Sequence, residues 1–329
     1  MNVTFKFFLS LVVSIFCLIL SSCELLQPVG NINIEPIALL GDGRSKASLS
    51  SHEGVRVTAY VTGWVKAPAK ILIDQDSPDL PSQLQSAKWV PSIAYAIHHP
   101  EYGVVIMDAG LKRGECDYGL RPFYWVPCRN DVGADLVSQL IRSKVAGEDI
   151  IHIIPSHFHG DHISGLGALL AYSDAELLLT QASLDELRSP LRAFSGVPSK
   201  MIGKDMKASV IDSRMLEDPL LGQSFDVFSD GSLLLFATPG HSAGHLSALV
   251  KTNKNQFLLS FDASHIKENM QLGIPSGASS SPDQALDSLQ KLSAIMERIN
   301  GVKMIYGHEP SQWACVNQSI DLDVLLATC

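Results

Sequence analysis

Four potential metal ligands lie in the short stretch His157-Phe158-His159-Gly160-Asp161-His162, directly after the apolar run Ile150–Pro155. A loop can turn all four side chains to one side, whereas a strand would alternate them between its two faces. Imidazole and carboxylate groups bind zinc and neighbouring transition metals well. A cluster this rich in ligands indicates two metal ions rather than one.

Three more candidate ligands lie near the ends of apolar runs in the second half of the chain. Asp262 ends the run Gln256–Phe261, and His308 follows the run Val302–Tyr306. His241 lies in a Gly- and Pro-containing segment between two such runs. Layered α/β folds place their sites where strands end, and a carboxylate at the end of an apolar strand is costly to bury without a cation. These three residues are therefore expected to complete the metal site.

The hydrophobic pattern predicts strands and helices in alternation. The predicted strands are Val55–Val61, Ile93–Ile97, Val104–Met107, Ile150–Pro155, Glu176–Thr180, Ser232–Ala237, Leu246–Lys251, Gln256–Phe261 and Val302–Tyr306. The predicted helices are Asp131–Val145, Ile163–Tyr172, Ala182–Arg188 and a segment that ends at Ile299. This last helix is expected to start at Ser281-Pro282-Asp283, with a capping side chain and Pro at the first helical position. The order favours two sheets packed face to face with helices outside.

Five ordered blocks between Val55 and Glu309 resemble the metallo-β-lactamase-fold hydrolases. They are Ile106–Gly110, the stretch quoted above, Thr238–His245, Leu259–Ala263 and Tyr306–Glu309. The resemblance implies an α/β fold, a four-layer αββα sandwich, that holds two divalent metal ions, expected to be zinc. It also implies the ligands of each ion. The first would be held by His157, His159 and His241, the second by Asp161, His162 and His308, and both by Asp262.

The remaining histidines and one aspartate are expected either to orient the metal ligands or to be ordinary surface residues. His241 and His245 are four residues apart, but Pro239, Gly240 and Gly244 argue against a helix that would turn both to one metal. We expect His245 to hydrogen-bond a ligand and Asp108 to orient a ligand histidine. A plain turn aspartate is the alternative for Asp108. The remaining histidines are interpreted as ordinary surface residues: His52, His98, His99 and His152.

Within this fold the chain looks most similar to the N-acyl-homoserine lactonases. The segment Val90–Pro100 resembles their early strand, and the helix over Asp283–Leu292 precedes the last histidine as it does in them. The similarity implies that the protein opens lactone rings by attack of a hydroxide shared between the two metals, with Asp161 helping to transfer a proton. Two alternatives stay open. One is another ester, thioester or phosphotriester hydrolase of this fold, and the other is a metal-binding surface lipoprotein without catalysis.

His265 is the position at which the chain departs from those lactonases. They usually carry a tyrosine three residues after the bridging aspartate, where it helps to hold the substrate carbonyl. Since imidazole can also donate a hydrogen bond, His265 is expected to take over this catalytic role. The alternative is that His265 is a loop residue that points away from the pocket. The departure puts the preferred lactone, and even the class of ester, in doubt.

Length and charge restrict the remaining possibilities. The chain has 329 residues, of which 46% are hydrophobic, so it can bury a full core, and one large domain over residues 55–329 is expected. Its formal net charge of −9 is spread along the chain without a basic run. Nucleic acid is therefore not an expected partner.

The N-terminal segment resembles an export signal followed by a lipid attachment site. Apolar residues run from Phe5 to Leu20, which is short for a bilayer span. The run ends in Leu20-Ser21-Ser22-Cys23, which is similar to a bacterial lipobox. We expect a signal peptide over residues 1–22, a lipidated Cys23 that binds the membrane, and a flexible tether over residues 23–54. The protein would then be an exported periplasmic or cell-surface lipoprotein, anchored in the outer membrane.

Four cysteines remain in the part of the chain expected outside the cytoplasm, where disulfides form. The short-range pairing is Cys116 with Cys128 and Cys315 with Cys329, although free thiols are an alternative. An aromatic group lies between the first pair: Tyr118, Phe123, Tyr124 and Trp125. It is interpreted either as the lining of an acyl-chain groove or as a packing loop that the disulfide holds.

Overall fold

The fold is taken from a computed structural model, which describes residues 32–37, 54–114, 116, 126–189 and 206–328. Two β-sheets face each other, and helices cover their outer sides. The predicted four-layer αββα sandwich is confirmed. The predicted signal peptide, Cys23 and the aromatic group between Cys116 and Cys128 lie outside the described residues. None of the helices over the described ranges is both long and apolar enough to cross a bilayer.

The first sheet contains nine strands in the order β1-β8-β7-β6-β4-β3-β2-β15, with β5 paired to β2. Its strands β1, β8, β7, β6 and β4 are parallel neighbours, and the others pair antiparallel. The bounds are β1 Ile32–Ile34, β2 Arg56–Ala67, β3 Lys88–His99, β4 Gly103–Met107, β5 Cys128–Arg129, β6 Ile150–Ile154, β7 Glu176–Leu179, β8 Met206–Val210 and β15 Ser319–Asp321.

The second sheet contains six strands in the order β14-β13-β12-β11-β10-β9. All neighbours are antiparallel except β13 and β14, which run parallel and are connected by a long helix. The bounds are β9 Leu216–Asp218, β10 Gly222–Asp226, β11 Leu233–Ala237, β12 Leu246–Lys251, β13 Gln256–Phe261 and β14 Lys303–Tyr306.

The main core lies between the sheets, and β3 shows how the sequence builds it. Ile93, Tyr95 and Ile97 point into this core, whereas Ala94 and Ala96 point to the outer helices. A strand buried on both faces reads as a continuous apolar run, which is why β3 is apolar without alternation. The helices are Ala69–Leu72, Leu136–Arg142, Gly160–Ile163, Leu166–Tyr172, Gln181–Arg188, Lys267–Leu272, Pro282–Arg298, Pro310–Trp313 and Leu322–Thr328.

Helix starts agree with the sequence in part. Asp135 caps Leu136–Arg142 by accepting a hydrogen bond from the backbone N–H of Ser138 at 3.0 Å. Pro282 occupies the first helical position as predicted, but the side chain of Ser281 makes no capping hydrogen bond, so that part of the prediction is wrong. The predicted helix over Ile163–Tyr172 is broken at Gly165, where a Cβ would lie 2.4 Å from the carbonyl oxygen of Ala109. This close contact holds the site loop against the first sheet.

Part of the predicted tether is structured. Ile32–Ile34 form β1, which extends the first sheet by pairing in parallel with Met206–Ala208. The flexible tether expected over residues 23–54 is therefore wrong for these three residues, because they satisfy the exposed edge of β8. Strand propensity over only three residues is too weak a signal to distinguish this strand from a polar linker.

The predicted short-range cysteine pairing is confirmed for Cys116 and Cys128, which form a disulfide with Cα atoms 5.1 Å apart. Cys315 is also disulfide-bonded. Its predicted partner, Cys329, lies outside the described residues. The first disulfide packs beside a small core that includes Val65, Leu111 and Ile266, and so it lies close to the turn that carries His265.

Candidate metal centre

The seven predicted ligands come together at one end of the sandwich. Two groups of these ligands each place their ligand atoms within 4.8 Å of one another: His157, His159, His241 and Asp262 in the first, and Asp161, His162 and His308 in the second. A third, overlapping group joins His265 to Asp262 and His308 within the same distance. They come from the ends of β6, β13 and β14 and from the loop between β11 and β12. The convergence unites segments that are about 150 residues apart in the chain.

The first group is compact and nearly closed to solvent. The Nε2 atom of His241 lies 2.7 Å from Nδ1 of His159 and 3.3 Å from Oδ2 of Asp262. The Nε2 atom of His157 lies 3.6 Å from the same carboxylate oxygen. Four ligand atoms therefore face a common centre, which is the number that a tetrahedral site requires.

The second group lies on the other oxygen of Asp262. Its Oδ1 atom is 3.2 Å from Nε2 of His162 and 3.1 Å from Nε2 of His308, and these two ring nitrogens are 3.4 Å apart. Asp161 faces His308 across 3.5 Å. Asp262 thus turns one oxygen to each group, which is the geometry of a carboxylate shared by two ions.

The donor set fits metal ions better than it fits a hydrogen-bonded cluster. His157 Nε2 is buried and has no hydrogen-bond partner among the described residues. Buried polar atoms are nearly always satisfied, so this nitrogen is explained by a cation that it would ligate. Only nitrogen and carboxylate oxygen face the centre, and this combination suits zinc and related transition metals.

Burial and the neighbouring carboxylates have opposite effects on the pKa values of the cluster. Burial lowers the pKa of His157 and His241 well below the usual histidine value, which keeps both rings neutral and able to bind metal. Burial also lowers the pKa of His162, but the carboxylates of Asp262 and Asp108 outweigh it and raise this pKa well above the usual value. Burial raises the pKa of Asp262, and the surrounding imidazoles, led by His308, outweigh this and lower it well below the usual range.

The backbone is strained at Asp108 and directly before Asp262, two carboxylates of the site. Asp108 has a φ of 61° and Phe261, just before Asp262, has a φ of 46°, both in the left-handed region that costs non-glycine residues energy. Gly307 allows the chain before His308 to pass close by, because a Cβ there would lie 2.5 Å from the carbonyl oxygen of Phe261 and 2.8 Å from Oδ1 of Asp262. The left-handed backbone at Asp108 and Phe261 and the absence of a side chain at Gly307 thus allow the groups of the site to come together.

Asp108 orients one ligand ring, as predicted. Its carboxylate accepts hydrogen bonds from His162 Nδ1 at 2.8 Å, from the backbone N–H of Ser156 at 2.6 Å and from the Ser156 hydroxyl at 2.9 Å. His162 Nδ1 therefore donates to Asp108, and this contact turns its Nε2 toward the second group. Burial raises the pKa of Asp108, so the three donors stabilise a charge that would otherwise be costly.

His245 supports Asp262 from behind, and the predicted hydrogen-bonding role is confirmed. Its Nε2 accepts the backbone N–H of Asp262 at 3.1 Å, and its Nδ1 lies 2.8 Å from the Thr238 hydroxyl. Burial lowers the pKa of His245 to about 3, so it is neutral. His308 is fixed in a comparable way, because its Nδ1 donates to the carbonyl oxygen of Pro91 at 2.8 Å.

Two of these supports, Thr238 and the Pro91 carbonyl, were not recognised from the sequence. A backbone carbonyl leaves no sequence signal. Thr238 lies within a quoted block, and a hydroxyl seven residues before a buried histidine could have been noticed.

A family model described as the metallo-beta-lactamase superfamily matches residues 117–308, which is more than half of the chain. The chain belongs to the metallo-beta-lactamase superfamily.

Within this superfamily the chain is similar to enzymes that act on lactones. The N-acyl homoserine lactonase AttM of Azorhizobium caulinodans is 27% identical over 232 residues, which cover 68% of this chain and 84% of that protein. Two solved structures share the fold. An N-acyl homoserine lactone hydrolase with N-hexanoyl-L-homoserine bound at its catalytic metal centre has a TM-score of 0.64 at 20% identity and covers 80% of this chain and 96% of its own. AidC, a dizinc quorum-quenching lactonase, has a TM-score of 0.54 at 16% identity, with coverages of 84% and 91%.

His265 lies inside the site of this metallo-beta-lactamase superfamily member. It is 1% exposed, and its Nε2 lies 3.0 Å from Oδ2 of Asp262. The ring stands between His241, with centroids 5.0 Å apart, and His308, with centroids 5.3 Å apart. The alternative of a loop residue that points away from the pocket is therefore wrong.

Three histidines outside the site differ from the surface interpretation. His152 is 5% exposed and points to the buried face of β6, and burial lowers its pKa to about 4. His99 accepts or donates a hydrogen bond with Asp230 at 3.1 Å, and His98 is half-buried with a pKa that burial lowers to about 4. The exposed fraction of these three side chains depends on strand register in the sheet, which the local sequence does not show. His52 lies outside the described residues.

Proposed function

We propose that this member of the metallo-beta-lactamase superfamily is a binuclear metal-dependent hydrolase that opens lactone rings of the N-acyl-homoserine type. The observation that carries the proposal is that Asp262 turns one carboxylate oxygen to each group of ligands, with His162 Nε2 3.2 Å from Oδ1 and His241 Nε2 3.3 Å from Oδ2. The type of reaction is proposed from similarity, because the N-acyl homoserine lactonase AttM aligns with 68% of this chain.

The proposed ligands of the first ion are His157, His159 and His241, and those of the second are Asp161, His162 and His308. Asp262 is the proposed ligand of both, and zinc is the proposed metal, in agreement with the donor set. When bound, the two ions would lower the pKa of water near them to about neutral and polarise a carbonyl oxygen. The residues of the chain hold these ions, fix the orientation of the rings and exclude bulk solvent.

Asp161 is the group proposed to move the proton. Its side chain is 21% exposed, whereas those of His308 and Asp262 are 4% exposed. It is therefore the acidic group at the open side of the centre, where a substrate enters. In lactone opening a water proton must be removed and the ring oxygen must gain one, and a carboxylate at the open side of the centre could transfer it. The sequence also predicts a catalytic role for His265 as a donor to the substrate carbonyl, and its contact with Asp262 bears on that role.

A substrate panel tests the reaction class. The full chain, purified with its metals, is expected to convert N-acyl-homoserine lactones of several acyl lengths to the ring-opened acids, measured by mass spectrometry and by acid release. A linear thioester, an aryl ester and a phosphotriester form the comparison set. Preferential turnover of a phosphotriester or thioester would replace the lactone assignment. A lack of turnover on every substrate by protein that holds its metals would favour a metal-binding lipoprotein.

We also propose that the chain is exported and anchored in the outer membrane through a lipid on Cys23. The support is the lipobox-like Leu20-Ser21-Ser22-Cys23 after an apolar run, together with the disulfide between Cys116 and Cys128, which suits an oxidising compartment. Signal peptide, anchor and localisation together form one hypothesis.

Replacement of the proposed anchor provides its test. Cys23→Ser, expressed in a bacterial host, is expected to move the protein from the membrane fraction to a soluble or unprocessed form, because no lipid can then be attached. Cys17→Ser, which lies within the predicted signal, is the matched control and should leave the distribution unchanged. Wild-type protein that is already soluble would exclude the lipid anchor.

A further inference from the structure

His265 is held in the site from its backbone as well as from its ring. Its carbonyl oxygen accepts the backbone N–H of His308 at 2.7 Å, and the neighbouring Ser264 carbonyl accepts that of Gly307 at 3.1 Å. The ring is therefore fixed relative to β14, which carries a proposed ligand. With 1% exposure, it has little freedom to change its orientation.

The nitrogen that faces Asp262 must carry the ring proton. Of the three imidazole nitrogens that approach Oδ2 of Asp262, the Nε2 atom of His265 is the closest, at 3.0 Å against 3.3 Å for His241 and 3.6 Å for His157. An ionised carboxylate can only accept hydrogen bonds, so Nε2–H is the donor. The Nδ1 atom of His265 is buried and has no hydrogen-bond partner within the described part of the chain.

We propose that His265 is a positioning residue that acts through Asp262, and not a donor to the substrate carbonyl; this proposal rests on the metal centre described above. Its Nε2–H donates to Oδ2, the oxygen that faces the first group. The hydrogen bond prevents rotation of the carboxylate and so keeps Oδ1 directed at the second group. A donation to substrate would break this contact. His265 and His245 then hold Asp262 from two sides, through its side chain and through its backbone N–H respectively.

Two amide substitutions separate the nitrogens of the ring. The side-chain amide of glutamine reaches about as far as Nε2, whereas that of asparagine reaches only as far as Nδ1. His265→Gln is therefore expected to retain zinc affinity within about 3-fold of wild type, whereas His265→Asn and His265→Ala are expected to lose about 10- to 100-fold, as for other groups that orient metal ligands. Zinc affinity of the full chain is measured by competition with a chromophoric chelator. Melting temperatures of the metal-free proteins show whether each variant is folded.

The readout does not depend on lactone hydrolysis, so failure of the reaction and failure of this proposal can be distinguished. Unchanged zinc affinity in His265→Ala, together with a lower lactonase kcat/KM, would overturn the proposal in favour of a carbonyl donor. Unchanged affinity and unchanged kinetics would overturn it in favour of a spectator residue. A loss of zinc affinity that glutamine restores and asparagine does not restore would support it. Equal losses for glutamine and asparagine would contradict it.

Discussion

Asp262→Ala is expected to remove both metal ions from the protein and to lower lactonase kcat/KM on the order of 10³-fold or more. A lost contact to developing charge accounts alone for about 10²- to 10³-fold, and this substitution removes a contact from two sites. Each oxygen of Asp262 lies 3.0 to 3.3 Å from two ring nitrogens. Those near Oδ1 belong to His162 and His308 of the second group, and those near Oδ2 belong to His241 and His265. Elemental analysis after desalting measures the metal, and steady-state kinetics measure the activity.

Asp262→Asn is the matched control for the first prediction. It preserves the size of the side chain and one oxygen but removes the negative charge, so it should keep part of the metal that alanine loses. The melting temperatures of the metal-free proteins show whether both variants fold. Loss of only one ion in Asp262→Ala would show that the carboxylate is not shared, and the assignment of one group would then have to change.

Asp161→Ala is expected to lower kcat by about 10²- to 10⁴-fold, the range for loss of a group that transfers protons. Because His162, His308 and Asp262 remain, the second ion should still bind, although more weakly. The assay is therefore run with increasing zinc until the rate no longer changes. Asp161→Asn retains a ligand oxygen but cannot take a proton, so it should bind zinc better than the alanine variant and be similarly slow.

Saturating zinc separates the two roles of Asp161. A deficit in kcat that persists when both ions are bound supports proton transfer. Full recovery of the rate with excess zinc would show that Asp161 is a ligand only, and the group that moves the proton would then lie elsewhere in the site.

The fold and the ligands were largely predictable because they depend on local patterns. Strands such as Leu246–Lys251 and Gln256–Phe261 are short apolar runs bounded by turn residues, and their predicted limits agree with the structure. The loop after β6 contains four of the proposed metal ligands within six residues, so its function could be predicted from the sequence. His241, Asp262 and His308 could be added because each lies close to the end of a strand, where layered folds bring distant segments together.

Features that depend on long-range contact were not predictable. The strand Ile32–Ile34 exists only because β8 offers an edge, and three residues carry too little hydrophobic pattern to show it. The burial of His152 follows from its place in the register between β4 and β7. The direction of His265 follows from a turn after β13 and from backbone contacts to residues more than 40 positions later. No local pattern contains this information.

The binuclear assignment is tested most directly by a titration of the metal-free full chain with zinc, in which bound metal and lactone opening are followed together. The rate of formation of the ring-opened acid is expected to rise with zinc and to reach its maximum close to two ions per chain, since two groups of ligands share Asp262. Full lactonase activity at one ion per chain, or without any metal, would show that the assignment is wrong.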